Sequence, residues 1–120
     1  MRIFVAGATG AIGRTLLPLL HDHTVVGMTR SRPELVRALG AEPAVCDVYD
    51  RRRVLAVVKA ACPVVVVDLL TDLAAWDFAA NNRIRRGGTP SLVAAAVAAG
   101  ARKLIIESVG FPLPRTARRP

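Results

Sequence analysis

The stretch Gly7-Ala8-Thr9-Gly10-Ala11-Ile12-Gly13 decides the fold, because it separates an apolar strand pattern over 2–6 from helical character over 11–20. At this spacing the first glycine allows a tight turn, the second lets the backbone approach a phosphate, and the third permits close packing of helix on strand. Amides at the helix N-terminus, aided by the helix dipole, then face negative charge. A turn needed only for packing is the alternative. The pattern predicts a phosphate-binding turn made by Gly7, Thr9, Gly10, Ala11, Ile12 and Gly13.

Strand and helix patterns alternate along the rest of the chain. We predict strands over 24–28, 43–46, 64–67 and 103–107, and helices over 33–39, 51–61 and about 78–99, with a loop or short helix over 68–77. Asp50 is the expected N-cap of the third helix. In the fourth helix, Gly87-Gly88 and Pro90 predict a break or a tight packing point. This rhythm predicts an α/β fold, a Rossmann-type doubly wound parallel sheet of strand order 3-2-1-4-5.

The 120 residues suit one domain. We expect residues 1–111 to form it and residues 112–120, rich in Pro and Arg, to be a disordered basic tail. The longest apolar runs fall far short of the roughly 20 residues of a membrane span, and the N-terminus lacks a secretory signal pattern. These features predict a cytoplasmic protein without a membrane anchor. Cys46 and Cys62 lack metal-ligand spacing, so we expect buried, reduced cysteines and neither a disulfide nor a metal site.

The net charge of +8 comes from 15 Arg and 2 Lys against 9 acidic residues. Such a basic chain could attract nucleic acid through its phosphates. Aromatic residues make up only 4% of the chain, however, and no nucleic-acid-binding motif is recognisable. We therefore expect no specific binding to nucleic acid.

The end of the second strand bears on cofactor choice, because an acidic residue there accepts hydrogen bonds from the ribose 2′-hydroxyl of NAD. This chain instead has Thr29-Arg30-Ser31-Arg32. A guanidinium group binds phosphate through charge-assisted, bidentate hydrogen bonds. The sequence therefore favours NADP(H) over NAD(H), with Arg30 on the 2′-phosphate. The alternative is that these arginines only extend into solvent.

Residues after the third and fourth strands are expected at the same edge of the sheet. Asp47 could accept a hydrogen bond from the adenine amino group, or it could simply cap the next turn. Val48 follows it. Residues 68–71, Leu69 among them, are expected to pass beneath the adenine ribose.

With these motifs, the chain resembles the N-terminal part of the short-chain dehydrogenase/reductase superfamily, in the extended or atypical branch called the NAD-dependent epimerase/dehydratase family. The resemblance rests on the glycine turn, on Cys46-Asp47-Val48, and on residues 88–100 (GTPSLVAAAVAAG), which are similar to the family's Gly-Thr-x-Asn-Leu helix. It covers about residues 1–111. It implies a domain that binds a nicotinamide dinucleotide.

Departures from the family pattern concern the chemistry. Relatives place a Ser or Thr after strand five, which Ser108 matches, although a serine that simply ends a strand is the alternative. They then carry a Tyr-x-x-x-Lys pair for proton transfer. The single tyrosine here, Tyr49, is followed by Arg53 in place of Lys and belongs to the loop after strand three. It is not expected to be catalytic.

Three hypotheses follow. The first is a member of the family truncated after strand five, which keeps the cofactor fold without independent catalysis. The second is an NADP(H)-sensing module, and the third is an oxidoreductase or epimerase completed by another chain. Without the further strands that full-length relatives add, strand five is expected to be an exposed edge that permits self-association.

Overall fold

The computed structural model describes residues 1–70 and 78–107. Strands and helices alternate throughout this part of the chain. The strands are β1 (Arg2–Ala6), β2 (Thr24–Thr29), β3 (Glu42–Val45), β4 (Val65–Asp68) and β5 (Lys103–Ile106), and the helices are α1 (Ala11–Leu19), α2 (Pro33–Ala38), α3 (Arg51–Ala61) and α4 (Phe78–Ala98).

All five strands pair in parallel in the order β3-β2-β1-β4-β5. The predicted doubly wound sheet and its strand order are confirmed. The order reverses at β1, whose two neighbours are β2 and β4, and in open α/β sheets ligands bind in the crevice beyond the carboxyl ends of the strands at such a switch point.

Successive side chains of β1 enter two separate cores. Phe4 packs in a cluster with Val54 and Val58 of α3 and Leu92 of α4. Val5, on the opposite face, packs in a second cluster that also contains Leu17 of α1 and Val36 of α2. Because both faces of the central strand are covered, its apolar residues run without polar interruption, as is usual for a parallel sheet.

Helix α3 has the predicted bounds, because its start is specified locally. The Asp50 side chain accepts a hydrogen bond from the Arg53 backbone N–H at 3.1 Å, which satisfies one of the free amides of the first turn. In α1, Pro18 lies in the last turn, and the helix ends one residue later at Leu19.

Helix α4 runs without interruption through Gly87, Gly88 and Pro90. The two glycines are a tight packing point and not a break. A Cβ on Gly87 would lie 2.8 Å from the Tyr49 ring, and one on Gly88 would lie 2.9 Å from a methyl group of Val48. The glycines therefore let the loop after β3 lie directly against α4.

Cys46 is buried as predicted, but the expectation that Cys62 is also buried is wrong. Cys62 caps the C-terminus of α3 with φ +47, and this left-handed conformation turns the chain out of the helix at the surface. Strand β5 lies at the edge of the described sheet with Ile105 and Ile106 half-exposed, and self-association there remains a prediction. Within the described residues, none of the helices combines the length and apolar character that a membrane span requires.

Candidate functional site

Backbone hydrogen bonds connect the loops that leave β1, β2, β3 and β4. The Ala8 N–H donates to the Met28 carbonyl at 3.2 Å, the Cys46 N–H donates to the Thr29 carbonyl at 3.0 Å, and the Leu69 N–H donates to the Ala6 carbonyl at 2.9 Å. The loops therefore meet at one edge of the sheet.

A cleft of about 250 Å³ lies between these loops. Seven of the ten residues predicted to bind the cofactor line it: Gly7, Thr9, Gly10, Arg30, Asp47, Val48 and Leu69. Ala11, Ile12 and Gly13 form the first turn of α1 beside it and are not among its lining residues. Ser108 lies outside the described residues.

The glycines of the turn meet different surroundings. Gly7 has φ +77, and a Cβ there would lie 2.7 Å from the Leu69 carbonyl oxygen. A Cβ on Gly13 would lie 2.2 Å from the Ala8 carbonyl oxygen. Gly10, the N-cap of α1, would meet only the Gly7 carbonyl oxygen, at 3.5 Å. Gly7 and Gly13 thus allow the turn to close. Gly10 leaves space beside the helix N-terminus, and this space fits a phosphate group.

At the end of β2, the buried Thr29 hydroxyl accepts a hydrogen bond from the Arg32 backbone N–H at 3.1 Å. This bond closes a short turn with Arg30 and Ser31 between its ends. Arg30 is exposed and lines the cleft, whereas Arg32 does not. The guanidinium group of Arg30 is therefore available to an anion at the β2 side of the cleft.

In the loop after β3, Asp47 Oδ1 accepts a hydrogen bond from the Tyr49 backbone N–H at 3.0 Å. The alternative role of Asp47, in which it caps the next turn, therefore accounts for one of its two carboxylate oxygens. An ionised carboxylate has two acceptor oxygens, so Oδ2 is available to a donor in the cleft. Beside Asp47, burial raises the pKa of the Cys46 thiol. The positive charge of Arg53 lowers this pKa and offsets only part of the increase.

At the end of β4, Asp68 is buried and both of its carboxylate oxygens are hydrogen-bonded. Oδ1 accepts from the Leu70 backbone N–H at 2.9 Å, and Oδ2 accepts from the Thr89 hydroxyl at 3.1 Å. This side chain connects the loop that supplies Leu69 and Leu70 to helix α4. The buried carboxylate holds one wall of the cleft in place.

Sequence reasoning missed five lining residues: Met28, Thr29, Cys46, Tyr49 and Ile84. Leu70 also lines the cleft and lies within the predicted segment 68–71. Most of the five are immediate neighbours of predicted residues, so their position after a strand was the available signal. Ile84 lies within α4, and only the tertiary packing of that helix brings it to the cleft.

The parallel sheet, the glycine turn that opens α1 and the cleft at the switch point together define a Rossmann-type domain for nucleotide binding. A family model described as NAD(P)H-binding matches residues 7–115. The chain belongs to this NAD(P)H-binding family.

A curated relative, the 3-diazoavenalumate denitrifying reductase of Streptomyces sp, is 43% identical over 122 residues, covering 92% of this chain and 38% of the relative. The chain therefore spans a little over a third of this relative. Among solved structures, the Bordetella bronchiseptica enzyme WbmG in complex with NAD and UDP has a TM-score of 0.76 at 20% identity, covering 88% of this chain and 36% of that one.

The UDP-glucose 4-epimerase of Brucella ovis in complex with NAD has a TM-score of 0.74 at 23% identity, covering 87% of this chain and 34% of that one. At this identity the structural likeness establishes the fold alone. The family match and the curated relative confirm the resemblance to an NAD(P)-binding reductase domain, and the epimerase structures share its fold.

Proposed function

We propose that the cleft binds NADP(H) in preference to NAD(H). The observation that carries this proposal is that Arg30, at the end of β2, lines the same cleft as Gly7 and Gly10. The chain has no acidic residue in the Thr29–Arg32 turn to accept hydrogen bonds from a ribose 2′-hydroxyl. A 2′-phosphate at this position would instead receive charge-assisted hydrogen bonds from Arg30.

The rest of the dinucleotide fits the other walls. The pyrophosphate lies at the N-terminus of α1, where Gly10 leaves space and the helix dipole favours negative charge. The adenine amino group donates to Asp47 Oδ2, and Leu69 and Val48 provide apolar contacts. Ser108 is the proposed catalytic residue, because it matches the Ser or Thr that relatives carry after strand five.

We further propose that this domain serves a reduction. The curated relative is named a reductase and is 43% identical over almost the whole of this chain. Bound NADPH would supply a hydride ion to the substrate. The described residues bind and orient the cofactor for that step, so cofactor binding is the activity to measure first.

The test is equilibrium titration of the chain, its Arg30→Ala variant and its Arg32→Ala variant with NADPH and with NADH. Arg32→Ala is a matched control. It removes the same charge two residues further along the chain, and the Arg32 side chain does not line the cleft. Arg30→Ala is expected to weaken NADPH binding at least about tenfold, since hydrogen bonds to charged groups contribute about 1.5–3 kcal/mol. NADH binding should change little.

Equal losses in the two variants would reduce the role of Arg30 to general charge attraction. Tighter binding of NADH than NADPH by the unchanged chain would contradict the cofactor preference.

A further inference from the structure

Tyr49 is a half-exposed aromatic residue on the wall of the cleft. The residue is 49% exposed, and it lines the cleft together with Leu70 and Ile84. The family resemblance predicts no catalytic role for this tyrosine, and it belongs to neither of the two buried core clusters. Its placement therefore calls for a ligand-facing explanation.

The position of Tyr49 is fixed from two sides. Its backbone N–H donates to Asp47 Oδ1 at 3.0 Å, which holds the start of the side chain. Its ring lies against Gly87 of α4, where an added Cβ would be 2.8 Å from Cε1 and 3.1 Å from Cδ1. The ring thus occupies space that any other residue at position 87 would take, so it is directed by tertiary packing.

The part of the cleft beside Tyr49 combines an aromatic ring, apolar side chains and a carboxylate. Val48, Leu70 and Ile84 supply the apolar surface, and Asp47 supplies the acceptor. A planar aromatic base that carries an exocyclic amino group matches this chemistry. Asp47, Val48 and Tyr49 all follow β3, the strand on the far side of β2 from the switch point, so the base at this end is the adenine and not the nicotinamide.

We propose that Tyr49, positioned by Gly87, contacts the adenine ring of the dinucleotide and contributes to selection of that base. This inference rests on the proposed function, because it assigns one part of the same ligand. It adds a residue on which affinity depends through aromatic contact and not through charge.

The first experiment compares Tyr49→Ala, Tyr49→Phe and the control Val97→Ala, which truncates an exposed residue of α4 away from the cleft. Each is titrated with NADPH and with adenosine 2′,5′-bisphosphate, which lacks the nicotinamide. Tyr49→Ala is expected to weaken both ligands about tenfold, in the range of base–aromatic stacking. Tyr49→Phe should restore most of the affinity, because it keeps the ring.

Gly87→Ala tests the positioning. The added methyl group would displace the Tyr49 ring, so affinity for both ligands should fall. Stability against urea should not fall with it, since alanine favours the helix more than glycine does and the displaced ring is half-exposed. An unchanged affinity in this variant would contradict positioning by Gly87.

A direct readout uses the fact that Tyr49 is the single tyrosine of the chain. Incorporation of 3-fluorotyrosine gives one ¹⁹F resonance, which ring-current effects should shift on addition of adenosine 2′,5′-bisphosphate but not on addition of nicotinamide mononucleotide. Binding of NADPH without a shift would overturn the Tyr49 proposal while the proposed function stands. No binding of NADPH at all would overturn the proposed function itself.

Discussion

The glycines of the turn meet different neighbours, which separates their effects on folding from their effects on binding. A Cβ on Gly13 would overlap the backbone of Ala8, so Gly13→Ala is expected to lower the free energy of unfolding by about 2 kcal/mol. Gly10→Ala meets no such obstacle and should leave that free energy nearly unchanged. It should nevertheless weaken NADPH binding, because the methyl group stands beside the helix N-terminus.

Urea unfolding and NADPH titration of both variants check this prediction. Loss of stability in Gly10→Ala, or full affinity in that variant, would contradict the role given to the space beside Gly10.

We expect Cys46 and Cys62 to be alkylated at different rates. Burial raises the pKa of the Cys46 thiol, so its reactive thiolate form is scarce at neutral pH and increases only as the pH rises above the ordinary range of a thiol. Alkylation of Cys46 by iodoacetamide should therefore be slow at neutral pH and faster in alkaline solution. Because Cys46 lines the cleft, NADPH should slow its alkylation further.

Cys62 is the internal control, since it is exposed and does not line the cleft. Mass spectrometry of the two peptides measures both rates in one sample. Equal protection of the two thiols by NADPH would place the ligand elsewhere.

At the residue scale, sequence predicted what depends on local geometry and missed what depends on packing. The spacing of Gly7, Gly10 and Gly13 was sufficient to predict the turn. The positive φ of Gly7 and the close backbone contact at Gly13 both require glycine, so they can be recognised in the sequence. The position of Tyr49 depends on Gly87, which lies 38 positions later in the chain. No local pattern connects those two residues.

At the scale of secondary-structure elements, a hydrogen bond to the buried Asp68 side chain joins β4 to α4. Asp68 Oδ2 accepts from the Thr89 hydroxyl at 3.1 Å. Thr89→Val keeps the shape of the side chain and removes the donor, which leaves a buried carboxylate oxygen without its partner. We expect the free energy of unfolding to fall by about 1–3 kcal/mol.

Urea unfolding measures this change, and Thr15→Val is the control, because Thr15 is exposed on α1. A loss of the same size in both variants would show that the substitution itself, and not the bond to Asp68, is responsible.

The bounds of the elements likewise depend on local geometry in some cases and on tertiary packing in others. Helix α3 was predicted at the correct residues because Asp50 caps it through a local hydrogen bond. Strand β4 is shifted by one residue from the predicted 64–67 to Val65–Asp68, because the pairing of Asp68 with β1 and β5 outweighs the low strand preference of a carboxylate. Helix α4 continues through Gly87 and Gly88 because Val48 and Tyr49 pack against them.

At the scale of the whole molecule, one sheet edge brings together loops that are far apart in sequence. The strand order could be predicted from the alternation of strands and helices, because parallel crossovers have a fixed hand. The cleft combines residues from after β1, β2, β3 and β4 with Ile84 of α4. Its lining from the first four loops was partly predictable, whereas the contribution of α4 required the packed structure.

The central claim is that NADPH binds in this cleft, and hydrogen–deuterium exchange of the chain with and without NADPH tests it most directly. Slower exchange is predicted in three segments, 7–13, 29–32 and 46–49, while residues 102–106 at the β5 edge should exchange at the same rate with and without ligand. Saturating NADPH that leaves these three segments unchanged would contradict the assignment of the cleft.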